Sequence, residues 1–203
     1  MIDTLLLDVD GVLVSHSADF FATMEREYVW RDSFDAFVDA LLHHPREAAS
    51  LIGDGDILDL SEDLLPAHVD GLTADEFVDR LFTENIVVNT DLINEIGRFG
   101  IKHIYLATNQ DRRRGAYIHE LFAQQPWYAG SLMSYDLGVA KPDPAYFATA
   151  LERIDKPADE CVFVDDRAAN VDAARASGIA SIRYVDLEQF TTELEKLLGQ
   201  RTP

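Results

Sequence analysis

The amino-acid sequence predicts an α/β protein: a parallel sheet with helices on both faces and one helical insertion early in the chain. Short apolar runs that end in polar, turn-forming residues alternate with helical patterns over most of the chain. Strands that alternate with helices favour a parallel sheet. Residues 15–89 break this alternation, because they hold several helical patterns and no strand-like run.

The apolar runs predict five strands, and the helical periodicity predicts helices between and after them. The strands are predicted at residues 2–9, 101–107, 131–134, 161–164 and 179–184. The helices that follow the last four strands are predicted at residues 111–123, 145–154, 167–177 and 187–198. Within the insertion, helices are predicted at residues 19–30, 33–43, 46–51 and 74–82. The predicted domains are therefore an α/β core of residues 1–14 and 90–203 and a helical insertion of residues 15–89.

The composition limits the classes of partner. The chain has 203 residues, 47% of them hydrophobic, and its net charge is −20. So acidic a surface repels nucleic acid and anionic lipid, and we expect neither as a partner. We expect the protein to be a monomer or a homodimer. An anionic substrate would need local positive charge, most simply a divalent cation. The sequence shows no signal peptide and no apolar stretch long enough to cross a bilayer, and we expect a cytoplasmic protein.

Two aspartates follow the first predicted strand. Asp8 and Asp10 are two residues apart, so on a strand their side chains would project on the same side, at the carboxyl edge of the sheet. Ligands bind at that edge in open parallel sheets. Gly11 lets the chain turn out of the strand. Taken alone, the pair is equally compatible with a strand that ends in two solvated aspartates.

Two later strand ends carry groups that suit a phosphate. Thr108 and Asn109 close the second strand, and a hydroxyl and an amide can both donate hydrogen bonds there, although this pair is also common in turns. Lys141 precedes a predicted helix that begins near Asp143 and Pro144. A lysine held there can neutralise a phosphate or a crowded carboxylate, and an exposed loop lysine is the alternative.

The fourth strand ends in Asp165 and Asp166, with Asn170 about one helical turn later. Carboxylate oxygens are ligands that Mg²⁺ takes, commonly one or two with substrate phosphate. Asp166 is expected to support the metal site, and the N-cap of the next helix is the alternative. All four strand ends lie on one edge of a parallel sheet. They would bring a nucleophile, an acid/base, phosphate donors, a cation and metal ligands into one crevice.

The motifs Asp8-x-Asp10-Gly11, Thr108, Lys141 and Asp165-Asp166 resemble the four signature motifs of the haloacid dehalogenase superfamily. The resemblance covers residues 1–14 and 90–203, and it implies a Rossmann-like core. Residues 15–89 are similar in position to the small α-helical cap of that family. Its phosphatases have an aspartate two residues after the nucleophile, where its dehalogenases lack one. Asp10 fills that position, so the resemblance implies a phosphatase.

The resemblance also implies roles for the residues. Asp8 would attack phosphorus and form an aspartyl phosphate, and Asp10 would act as acid and base. Mg²⁺ would be held by Asp8, by the backbone carbonyl of Asp10 and by Asp165, with Asp166 orienting a metal-bound water. Phosphate oxygens would be bound by Thr108, Asn109 and Lys141. The expected substrate is a small phosphorylated metabolite, and a sugar phosphate is one candidate.

Three other functions share parts of this pattern. A sugar phosphomutase would keep every core residue, and a non-catalytic phosphate-ligand-binding protein could use the same fold. A dehalogenase is disfavoured by Asp10. The substrate itself cannot be read from the sequence. Beside these motifs, Arg112, Arg113 and Arg114 are interpreted mainly as a solvated helix face, with contact to an anionic substrate as the alternative.

Overall fold

The computed structural model describes residues 2–199, and its centre is a five-stranded parallel sheet. Seven strands are described: β1 Thr4–Leu7, β2 Val14–His16, β3 Ile86–Val88, β4 His103–Thr108, β5 Tyr128–Met133, β6 Cys161–Asp165 and β7 Ala180–Arg183. The order in the sheet is β5-β4-β1-β6-β7, so β1 is central and Leu6 pairs with Tyr105 on one side and Phe163 on the other. All four residues of β1 are buried, as a strand covered on both faces requires.

Eleven α-helices lie within the described range. Five belong to the helical insertion: α1 Ala18–Glu27, α2 Phe34–Leu42, α3 Glu47–Ser50, α4 Ile57–His68 and α5 Ala74–Thr83. Six belong to the rest of the chain: α6 Thr90–Arg98, α7 Arg112–Phe122, α8 Ser134–Leu137, α9 Pro144–Ile154, α10 Ala168–Ala176 and α11 Leu187–Gly199. None of the helices between residues 2 and 199 is long and apolar enough to cross a membrane.

The two faces of the sheet are covered by different helices because side chains alternate along each strand. Leu5 and Leu7 point into one cluster with side chains of α6, α7 and α11. Leu6 points into the other cluster, with Phe147 of α9 and Ala174 of α10. The predicted α/β fold, a Rossmann-like parallel sheet with an inserted helical segment, is confirmed.

The helical insertion has its own apolar cluster, centred on the rings of Phe34, Phe37 and Phe77. Each of the three side chains is at most 1% exposed, and the Phe37 and Phe77 ring centroids lie 5.0 Å apart. Ring pairs at this distance and at a steep angle are favourable beyond their burial. The insertion therefore buries its apolar surface largely within itself.

The prediction that residues 15–89 contain no strand is wrong. β2 and β3 pair antiparallel, with Ser15 opposite Val87, where the insertion leaves and rejoins the core. Each is only three residues long, which is too short for a clear alternation of apolar and polar residues. Helix α4 was also not predicted; Asp56 and Asp59 begin it as a capping box, and it continues past Pro66 near its end.

Candidate active site

Asp8 lies directly after β1 and is buried at the carboxyl edge of the sheet. Its backbone N–H donates to the Val164 carbonyl at 2.9 Å, which extends the β1–β6 pairing by one residue. Its side-chain Oδ1 accepts from the Val9 backbone N–H at 2.8 Å and lies 2.9 Å from the Lys141 ammonium. The carboxylate is therefore fixed in direction by the backbone and by one cation.

Lys141 is the cation at the centre of the site. Its Nζ donates to the carbonyl of Ala107 at 2.8 Å and to Asp165 Oδ2 at 2.6 Å, in addition to its contact with Asp8. These three contacts match the three N–H bonds of an ammonium group. The side-chain amide of Asn109 exchanges two hydrogen bonds with the backbone N–H and carbonyl of Lys141, at 2.9 and 2.8 Å, and so fixes the loop that carries it.

Asp165 is fully buried at the end of β6. Its two oxygens accept from the Asn170 amide at 3.0 and 2.9 Å, and Oδ1 also accepts from the Arg167 backbone N–H at 2.8 Å. Asp166 follows it on the rim of the site, beside Gly11. A Cβ on Gly11 would lie 2.6 Å from Asp166 Oδ2, and the φ of Gly11 is 81°, so both space and backbone conformation call for glycine there.

Asp8, Asp165 and Asp166 form what we call the carboxylate cluster. One oxygen from each lies within 4.8 Å of the others. Three negative charges stand against the one positive charge of Lys141, so a divalent cation would neutralise the remainder. The donors are all oxygens, which suits a hard cation. The cluster can therefore hold a metal ion.

Crowding and burial change the acidity of this cluster. Burial raises the pKa of Asp8 to about 7, with the Asp165 charge acting in the same direction and Lys141 opposing both. Burial, together with the Asp165 charge, also raises the pKa of Asp166. A bound cation would oppose these effects by favouring the ionised carboxylates.

Asp10 is the second carboxylate of the first motif, and its side chain lies outside the carboxylate cluster. Gln110 Nε2 donates to its Oδ2 at 2.6 Å, and Arg114 Nη2 donates to its Oδ1 at 2.5 Å. The Asp10 side chain is 37% exposed, so one side of it faces open space. The two aspartates thus differ in surroundings: Asp8 is enclosed with a lysine and a second carboxylate, and Asp10 is held at the rim.

Thr108 lies at the end of β4 and is 1% exposed. Its hydroxyl oxygen accepts from Gln110 Nε2 at 3.1 Å, which leaves the hydroxyl proton for an acceptor. The structure therefore brings the sequence-predicted residues Asp8, Asp10, Lys141, Asp165 and Asp166 to one edge of the sheet, with Thr108 beside them. Only the side chain of Asn109 is committed elsewhere, to the Lys141 loop.

Gln110 and Arg114 are site residues that the sequence interpretation missed. Arg114 was expected on a solvated helix face, but it is 8% exposed and ion-paired with Asp10. Its two neighbours differ: Arg113 pairs with Asp56, and the Arg112 guanidinium lies 5.4 Å from the centroid of the Tyr135 ring. Their closeness to Thr108 in the sequence could have indicated a site role. Gln110 is two residues beyond Thr108, and Arg114 is in the first turn of the next helix.

The helical insertion reaches the rim of the site at two places. On one side, Asp56 pairs with Arg113 at 3.3 Å, and the Ile57 backbone N–H faces the buried Asp111 carboxylate, which caps α7. On the other side, Glu47 of α3 is near Arg167, whose charge opposes the rise in the Glu47 pKa that burial causes. Residues 47–57 therefore run past both flanks of the carboxylate edge.

These features define a class of protein: an α/β protein with a buried aspartate, a lysine and further aspartates at the carboxyl edge of a parallel sheet. The family model described as haloacid dehalogenase-like hydrolase matches residues 2–178. The chain belongs to the haloacid dehalogenase-like hydrolase family.

A similar curated protein is the sesquiterpene phosphatase astK of Aspergillus oryzae, which is 31% identical over 110 residues, 54% of this chain and 56% of that protein. The chain spans between 11% and 56% of the length of the curated relatives it matches.

Two solved structures share the fold. One is a family enzyme from Bacteroides thetaiotaomicron in complex with magnesium and inorganic phosphate, with a TM-score of 0.68 and 16% identity over 94% of this chain and 99% of that one. The other is a predicted family hydrolase from Porphyromonas gingivalis, with a TM-score of 0.71 and 17% identity over 100% of both chains. At these identities the likeness concerns the fold.

Proposed function

We propose that this protein is a Mg²⁺-dependent phosphohydrolase that removes phosphate from a small phosphorylated metabolite through an aspartyl phosphate on Asp8. The observation that carries the proposal is the pair of different carboxylates at one strand end. Asp8 belongs to the carboxylate cluster beside Lys141, and Asp10 is held separately at the rim by Gln110 and Arg114. A nucleophile and an acid/base need such different surroundings.

Asp8 is the proposed nucleophile. Its carboxylate direction is fixed by the Val9 N–H and by Lys141, both of which contact Oδ1. Oδ2 would attack phosphorus as the bond to the leaving oxygen breaks. Asp10 would first take up a proton on an oxygen that faces the substrate and then give it to the leaving oxygen; water then releases phosphate from Asp8 while Asp10 accepts the water proton. The relative named a sesquiterpene phosphatase supports hydrolysis of a phosphate ester over dehalogenation.

Mg²⁺ is the proposed cation of the carboxylate cluster. Asp8, Asp165 and the Asp10 backbone carbonyl would hold it, with Asp166 orienting a bound water. Each Asp165 oxygen already accepts two hydrogen bonds, so a direct bond to the ion requires Lys141 or Asn170 to yield one. When bound, Mg²⁺ would offset the repulsion between Asp8 and an anionic phosphate. Magnesium with phosphate in the structure of the Bacteroides family enzyme supports this choice.

The phosphate oxygens would be bound by protein donors at the β4 end. Thr108 offers its hydroxyl proton and Asn109 its backbone N–H, while the Asn109 side chain keeps the Lys141 loop in place. Lys141 would bind a phosphate oxygen after releasing one of its carboxylate partners. Such donors stabilise charge that develops in the transition state. The helical insertion, residues 15–89, would act as a cap that contacts the leaving group, for which a sugar phosphate is one candidate.

The experiment that tests the proposal measures phosphate release from p-nitrophenyl phosphate and a panel of sugar and other metabolite phosphates, with Mg²⁺ and with EDTA. The wild-type protein is compared with Asp8→Asn. We expect release that requires the metal and that falls at least about 10³-fold in Asp8→Asn, because an amide replaces the nucleophile.

Asp172→Asn is the matched control, because it makes the same chemical change at a side chain that is 74% exposed on α10. This variant should keep wild-type activity. Full activity in Asp8→Asn would exclude Asp8 as nucleophile. No release from any phosphate, by folded protein that binds Mg²⁺, would contradict the hydrolase and favour a phosphomutase or a binding protein.

A further inference from the structure

We infer that Arg114 and Gln110 are positioning residues that aim the Asp10 carboxylate at the leaving oxygen of the substrate. The inference rests on the proposed function, in which Asp10 donates that proton. Each Asp10 oxygen has its own hydrogen-bond donor: Arg114 donates to Oδ1 and Gln110 donates to Oδ2. An aspartate side chain has only two rotatable bonds, and two donors on different oxygens fix both of them.

Both donors are themselves held. Gln110 is 2% exposed; its Nε2 also contacts Thr108 Oγ1 at 3.1 Å, and its backbone exchanges hydrogen bonds with the Ser134 hydroxyl at 3.0 and 3.2 Å. Gln110 therefore links Asp10 to Thr108, a predicted phosphate donor. Its position depends on β4 and α8, which are part of the core.

Arg114 is held by a different part of the molecule. Its backbone N–H donates to Asp111 at 3.1 Å, in the first turn of α7, and its guanidinium carbon lies 5.9 Å from the centroid of the Phe82 ring. Phe82 belongs to α5 of the helical insertion, and it packs against Tyr117 of α7. The guanidinium thus lies between insertion and core, and both set its place beside Asp10.

Arg114 has two alternative roles: an ion pair that only stabilises the fold, or a direct contact with the substrate phosphate. Each would change the rates with different substrates in a different way from a positioning role. A positioning role acts through proton transfer, so its loss matters more for a basic leaving group than for an acidic one. Loss of a phosphate contact would lower kcat/KM for both substrates by the same factor. Loss of fold would reduce active protein and leave the ratio between substrates unchanged.

The test compares phenyl phosphate with p-nitrophenyl phosphate, which have similar shapes and leaving groups of different basicity. Arg114→Met should lower kcat/KM for phenyl phosphate by about 10²-fold, a typical share of general-acid catalysis, and for p-nitrophenyl phosphate by less than about tenfold. The parameter kcat/KM is chosen because it includes the steps up to formation of the aspartyl phosphate. Arg98→Met, at a side chain 75% exposed on α6, is the control and should change neither value.

Two further variants keep the test decisive if Arg114→Met fails to fold. Arg114→Lys retains the charge and should recover part of the phenyl phosphate rate. Gln110→Ala should shift the ratio between the two substrates in the same direction as Arg114→Met. Equal losses on both esters, or a change in KM alone, would overturn the inference while leaving the hydrolase intact. Absence of release by the wild-type protein from both esters would instead contradict the proposed function.

Discussion

The carboxylate edge of the sheet and the helical insertion are stabilised in opposite ways. At the edge, buried charged groups contact one another, and the Lys141 ammonium contacts Asp8, Asp165 and the Ala107 carbonyl at once. In the insertion, the buried cluster is apolar, with six aromatic rings among its 14 side chains, and ion pairs such as that of Arg31 with Asp70 lie on the surface. A network of buried charges tolerates few changes, whereas an apolar cluster tolerates many of similar volume.

This difference suits the two regions to different roles in the proposed reaction. The edge requires given atoms at given distances, so its residues suit chemistry that stays constant. The insertion requires only a filled interior, and under the proposed function its outer residues near the site, such as residues 47–57, would match a particular leaving group. The following predictions test the two halves of this contrast.

Lys141→Met should have the largest effect. Removing the Lys141 ammonium leaves Asp8 and Asp165 buried without their shared cation. Breaking a buried charge pair in this way costs about 3–5 kcal/mol of unfolding free energy. We also expect phosphatase activity to fall at least about 10³-fold, comparable to the loss of one strong transition-state donor. Urea unfolding in EDTA and phosphate release measure the two effects.

Lys156→Met provides the control for this change. Lys156 pairs with Asp3 at 2.9 Å on the far side of the sheet from the carboxylate edge, where solvent weakens the pair. Its loss should leave both activity and unfolding free energy nearly unchanged. If Lys141→Met unfolds at the same urea concentration as the wild-type protein, the buried network does not stabilise the edge.

Phe77→Ala should destabilise the insertion without altering the edge. Phe77 is fully buried against Phe34 and Phe37, and removing such a ring costs about 3–5 kcal/mol. Because this cluster is largely separate from those of the sheet, we expect the amides of α2, α4 and α5 to exchange hydrogen faster while those of β1, β4 and β6 keep their protection.

Val29→Ala is the matched control, since Val29 belongs to the same segment and is 88% exposed. It should leave every exchange rate close to that of the wild-type protein. An equal loss of protection in α5 and in β1 after Phe77→Ala would show that the insertion and the sheet unfold as one unit, and the contrast between the two regions would then not extend to their stability.

The same contrast explains what the sequence could predict of the fold. Most of the sheet strands were predicted because their buried residues form continuous apolar runs, as in 161–164, which all lie in β6. β5 was predicted only from residue 131, because its first four residues include a glycine and a serine and are not buried. The helical insertion was predicted less completely, although α6 and α8 of the core were also not predicted. β2 and β3 are three residues each and pair across a separation of about 70 residues, and no local pattern reports such a pairing. α4 was obscured by Pro66 near its end and by the glycines before its cap.

For the site, the sequence could predict residues but not all of their contacts. Asp8 and Asp165 were found because each stands at a strand end, and Lys141 because it lies just before the start of α9. Arg114 was misread because a run of three arginines indicates a solvated face, and only the packing of α7 against Phe82 of the insertion reveals which of the three is buried. Contacts between the two regions depend on how they pack together, which the local sequence does not encode.

Arg113→Met should have the smallest effect, and it tests the contact between the two regions. Arg113 and Asp56 form a partly exposed pair between α7 and the start of α4, with side chains 42% and 21% exposed. Such pairs contribute about 0–1 kcal/mol. We expect a loss of unfolding free energy within that range, and a KM raised a few-fold with kcat unchanged, because the pair helps to hold residues 47–57 beside the site.

In a double-mutant cycle with Asp56→Asn, which keeps a helix-capping side chain, the two KM effects should not add. Additive effects would mean that each residue acts alone and that this pair does not join the insertion to the core.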